Sequence, residues 1–135
     1  MITPRNLADS AKTHIITALC TACSVGVDIA DMPIFRAPKN ITIVEVGIIP
    51  LATYTGHADG SVWAIEKGST AIAGDTYNAT EGSTPPEVGA YASLGTISNA
   101  DLLEGDVVTF SVTNGAGAAS PICVVQVEYI IDEDV

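Results

Sequence analysis

Apolar and polar side chains alternate with a period of two along most of this chain, most clearly toward its C-terminus. In "DVVTFSVT", Val108, Phe110 and Val112 share one face while Val107, Thr109 and Ser111 share the other, the pattern of a half-buried strand. In "PICVVQVEYII", Cys123, Val125, Val127, Tyr129 and Ile131 fall together and Gln126 and Glu128 lie on the wet face. Earlier, "ITIVEVGIIP" groups Val44, Val46 and Ile48, and "SVWAIEK" groups Trp63 with Ile65. In "THIITALC", Ile15 and Leu19 stand opposite His14, Ile16 and Cys20, and both faces are mixed. β-branched and aromatic residues dominate these runs, as strands require.

The connections "YTGHADGS", "EKGSTAIAGD", "NATEGSTPPEVGAY" and "TNGAGAASP" interrupt the chain at short intervals. Only "TPRNLADSAK" has room for a helical turn or two. Short strands separated by regular turn signals predict an all-β fold, an antiparallel jelly-roll-like β-sandwich preceded by a short N-terminal arm. The boundaries read as an arm over 1–12, the sandwich over 13–131 and an acidic tail over 132–135. "NGAGAAS" reads as a hairpin loop, because Asn114 and Gly115 tolerate a positive φ. In "SNADLLEGDVV", Asn99 is placed to cap one helical turn, Leu102 and Leu103 to close the core, and Gly105 to take the left-handed conformation.

Composition narrows the function. At 135 residues the chain is one domain with enough length for a core. Mean hydropathy is positive at +0.38, yet no apolar run reaches the ~20 residues of a membrane helix, so no membrane partner is expected. "MITPRNLADSAKTH" lacks the apolar centre of a secretory signal, and an odd count of three cysteines makes a poor disulfide framework. Both point to assembly in a cytoplasm with reduced thiols. The net charge is −11, and all five cations, Arg5, Lys12, Arg36, Lys39 and Lys67, lie in the first half. Such a chain repels a polyanion, so no nucleic-acid partner is expected.

Candidate chemistry is sparse. "CTAC" places Cys20 and Cys23 at a Cys-x-x-Cys spacing, which needs a second pair of ligands to close a zinc site; Cys123 and His14 are the available donors. In a continuous strand Cys20 and Cys23 point to opposite faces, so they read as buried or half-buried thiols. His57 beside Asp59 reads as a solvated turn pair. The carboxylates are scattered, with no Asp-x-Asp-x-Asp-Gly run for calcium, and no nucleotide-binding glycine motif is present. No cofactor, no metal and no catalytic activity are therefore expected. Trp63, the single tryptophan, reads as core; exposed, it would be a platform for sugar, as in a carbohydrate-binding module.

A "THIITAL" strand is followed by the apolar-Pro element "MPIFRAPKNITIVEVGIIP", the hairpin "GSVWAIEKGSTAIAG", the corner "SNADLLEGDVVTFSVTNGAGA" and the strand "CVVQVEYII". This order resembles the capsid decoration proteins of tailed phages over roughly residues 13 to 131. The tryptophan, the histidines, the cysteines and the adjacent prolines at 85 and 86 depart from that pattern. The resemblance implies a structural protein on the exterior of a virion. It implies binding to the major capsid protein across subunit junctions of the expanded shell, against the pressure of packaged DNA. Three-fold positions offer equivalent docking surfaces, so a homo-oligomer, a trimer first, is expected. Within the arm, which holds two of the five cations, Arg5, Asn6 and Lys12 are the candidate contacts. A carbohydrate-binding sandwich and a head-fibre or tail module are the alternatives.

Overall fold

The computed structural model describes residues 13–54, 60–77 and 87–132, and among these every regular element but a single 3-10 residue at Asp132 is β. The strands are β1 (His14–Cys20), β2 (Ile29–Arg36), β3 (Ile41–Pro50), β4 (Ser61–Lys67), β5 (Thr70–Tyr77), β6 (Ala92–Ser93), β7 (Asp101–Leu102), β8 (Val107–Asn114) and β9 (Cys123–Ile131). They form two antiparallel sheets. One runs β1-β9-β3-β6, with β7 also on β3, and the other runs β2-β8-β4-β5. Apart from the β4–β5 and β6–β7 steps, each strand lies in the sheet opposite its predecessor, which is the jelly-roll order expected from the sequence.

The period-two faces become the core. Val108, Phe110 and Val112 of β8 and Trp63 and Ile65 of β4 pack against Ile41, Ile43, Val46 and Ile48 of β3 and Val125 and Val127 of β9, all fully buried. Burying such side chains is worth about 1.5–3 kcal/mol each. β4 and β5 meet in the expected hairpin.

Three local readings are corrected. Val44 is exposed, apart from Val46 and Ile48, because a register shift between Ile43 and Glu45 makes it the extra residue of a β-bulge. "NGAGAAS" is no hairpin: it carries the chain from β8 in one sheet to β9 in the other, and neither Asn114 nor Gly115 has a positive φ. Asn99 has a φ of +51° and caps no helix, since residues 101 and 102 pair with β3 instead. Leu102 closes the core there while Leu103 is 66% exposed. Gly105 does take a positive φ, +93°, and its N–H donates to the carbonyl of Ala37, so two corners lock together at that end.

Candidate functional site

The outward face of the first sheet is built from three aligned rows. Ile15, Glu128 and Glu45 form one, Thr17, Gln126 and Gly47 the next, and Leu19, Val124 and Ile49 the third. Alternation along β1 and β9 turns their other residues into the core.

The two ends of this face differ in chemistry. At one end Glu45 faces Glu128 directly across the ladder. The Tyr91 hydroxyl donates to Glu45 Oε1 at 3.0 Å and the Ser93 hydroxyl donates to the same oxygen at 2.8 Å. Burial, this hydrogen bond and the charges of Glu45 and Glu128 hold the Tyr91 phenol well above its ordinary range. Gly47 leaves room for it, because a Cβ there would overlap the Tyr91 ring and push it aside. At the other end Leu19, Val124 and Ile49 continue into Leu51, and Leu19 is 57% exposed. The result is an apolar strip beside a carboxylate pair.

The cysteines are absorbed by the core. Cys20 and Cys123 are direct cross-strand partners, and Cys23 is bonded to Ser120, its N–H donating to the Ser120 carbonyl at 2.9 Å. β1 ends at Cys20, so Thr21 and Ala22 are irregular and Cys23 is re-aimed; Cys20 and Cys23 are both buried, contrary to the opposite-face expectation for a continuous strand. The Cys20 thiol donates to the Thr21 carbonyl at 3.6 Å, and the facing Cys20 sulfur together with burial pushes the Cys123 thiol above the ordinary thiol range. His14 lies at the far end of β1, about 20 Å away at strand rise, where it stacks on Tyr129 with ring centroids 5.3 Å apart. The four donors considered for zinc are thus not brought together. Thiol reagents are expected to react slowly with all three cysteines in the native protein and fully after denaturation. Metal analysis is expected to find no stoichiometric zinc; one zinc per chain, lost on Cys20→Ser, would contradict this arrangement.

Trp63 is 1% exposed and meets Tyr54 edge-on at 5.5 Å, so it offers no sugar platform. A buried polar cluster lies nearby. Tyr54 donates to the Ser61 hydroxyl at 3.2 Å, Ser61 donates to the Asn114 side-chain oxygen, and Asn114 Nδ2 donates to the Val27 carbonyl at 2.7 Å. Sequence reasoning assigned Asn114 to a turn, although it falls on the period-two face of Val108, Phe110 and Val112 and is buried at the end of β8. It missed Glu45, Tyr91 and Ser93, which only the pairing of β3 with β6 brings together. Arg5, Asn6, Lys12, His57 and Asp59 lie outside the described residues.

No family model matches the chain, and no curated protein sequence does. A solved chain of the Bacillus endospore appendages, described as a novel family of disulfide-linked pili, is similar over 91% of this chain and 94% of its own, at 14% identity and a TM-score of 0.41. A likeness of that depth assigns neither a family nor a function.

Proposed function

We propose that this chain is a non-catalytic structural protein of an assembled particle, and more narrowly a decoration protein on the exterior of a tailed-phage capsid. One observation supports the reading: a jelly-roll sandwich presents, on one outward sheet face, the apolar strip of Leu19, Val124, Ile49 and Leu51 beside the Glu45–Glu128 pair. Apolar surface rimmed by polar groups is characteristic of protein-binding surfaces. On this reading the major capsid protein is the partner and copies dock as a three-fold set. Arg5 and Lys12 supply cations, and Asn6 a neutral hydrogen-bonding amide, to the shell contact of an otherwise acidic chain. The chemistry-bearing side chains Trp63, Cys20, Cys23 and Cys123 serve packing.

The test mixes purified full-length protein, and a chain starting at Thr13, with undecorated expanded phage shells and pellets the shells. Full-length protein is expected to co-sediment. The shorter chain is expected to keep its β-type circular dichroism and to be washed off far more readily. Equal retention of both would remove Arg5, Asn6 and Lys12 as contacts, and absence of binding to any shell would discard the decoration reading.

A further inference from the structure

Hydrogen-bond direction singles out one open edge of the sandwich. Leu51 N–H donates to the Ile122 carbonyl at 2.8 Å and Asp132 N–H donates to the Asn40 carbonyl at 2.9 Å. The even-numbered residues of β9 therefore turn their backbone groups toward β3. Antiparallel alternation leaves Cys123, Val125, Val127 and Tyr129 turned toward β1, where they face Cys20, Ala18, Ile16 and His14. Ile15, Thr17 and Leu19 consequently direct their N–H and C=O groups away from β9. Among the described residues no strand is bonded on that side.

The other edges are blunted. β2 carries two register shifts, Pro33 and a φ of +50° at Asp31. β5 is bulged at Ile72, the extra residue between its pairings with Ile65 and Glu66, and contains Gly74 and Asp75. β6 and β7 are two residues each. Such devices are how sheets avoid unwanted pairing. β1 has none of them: its register with β9 is unbroken from His14 to Cys20, with no proline, glycine, aspartate, glutamate, lysine or arginine.

The edge is also complementary to itself. Turned about a two-fold axis through Thr17, two copies of β1 place Ile15 opposite Leu19 of the second copy, Thr17 opposite Thr17 and Leu19 opposite Ile15. These are the residues whose backbone groups point outward, so each pair exchanges two hydrogen bonds. Ile15 and Leu19, each 57% exposed, would then cover one another on the outer face. Charge favours this contact over others between copies of a chain of net charge −11, because residues 10–27 contain no Asp or Glu. We infer that β1 is a docking edge for a second copy of this chain, joining two first sheets into one continuous antiparallel sheet across a two-fold axis.

This contact shares Leu19 with the apolar strip proposed above for capsid docking, but its test uses no shell, so either proposal can fail alone. A single strand edge is small beside the roughly 1,200–2,000 Å² of stable interfaces, so pairing depends on concentration. Sedimentation equilibrium of the full-length protein is expected to show a monomer–dimer equilibrium. Thr17→Pro removes only an outward N–H, leaving every bond to β9. It should raise the dimer dissociation constant about tenfold or more with unchanged circular dichroism, and the double change Ile15→Lys and Leu19→Lys should do the same. Thr17→Cys should form a disulfide-linked dimer with glutathione disulfide as oxidant, whereas Val62→Cys on the second sheet should not. A protein that stays monomeric at millimolar concentration would overturn the inference. So would a dimer that neither Thr17→Pro nor the double lysine variant weakens.

Discussion

Trp63→Ala is expected to destabilise the protein by about 3–5 kcal/mol, the range for truncating a buried aromatic side chain to alanine. Trp63 sits mid-strand in β4, between Val112 of β8 and Asp75 of β5, and is the largest fully buried side chain. Its neighbours are held by two sheets, so they cannot collapse into the vacated volume without breaking a ladder. The edge-on contact with Tyr54 is lost as well, an interaction worth about 0.5–1.5 kcal/mol beyond area. Set against the 5–15 kcal/mol total of an ordinary domain, the loss is a large fraction of stability. Urea titration followed by circular dichroism measures it. A change below about 1 kcal/mol, which is typical of surface sites, would remove Trp63 from the core.

Asn114→Ala is expected to cost about 2–4 kcal/mol. The buried amide accepts from Ser61 and donates to the Val27 carbonyl, and each partner left without a bond loses roughly 1–3 kcal/mol. Asn114→Asp separates the two halves of this role. It keeps the acceptor for Ser61 and places a carboxylate against the Val27 carbonyl, so its stability should recover as pH falls and the carboxyl gains a proton. Denaturant titrations at pH 7 and pH 4 distinguish the variants: the alanine deficit should be pH-independent relative to wild type, the aspartate deficit smaller in acid. Equal deficits at both pH values would mean that the amide nitrogen is not the group that matters.

Legibility in the sequence followed a physical divide. β4, β8 and β9 were readable because each buries one face, and the burial writes itself into alternate positions. Val44 was not, because a bulge changes the parity of everything beyond it and leaves no mark in composition. "NGAGAAS" carries turn chemistry, and turn chemistry does not say whether the next strand joins the same sheet. The mixed faces of "THIITALC" were a true signal of an edge strand with an apolar outer face, which became interpretable only once the strand order was known. Glu45, Tyr91 and Ser93 meet across 48 positions of sequence, beyond any local pattern. Arg5 and Lys12 rest on charge alone, and Asn6 on its place between them in the arm.

The position of β9 between β1 and β3 constrains how the chain can be made. His14 pairs with Tyr129 and Ile41 with Ile131, so the first sheet has no central strand until β9, far downstream of β1 and β3, has left the ribosome. Synthesis adds residues at about 5–20 per second; through most of that interval β1 and β3 have no β9 to pair with and remain open templates. Sequence-distant pairing of this kind also slows folding. β9 is therefore the strand that closes the sheet after β1 and β3 have been made, and a chain interrupted before Cys123 would carry two unsatisfied strands in place of one finished wall.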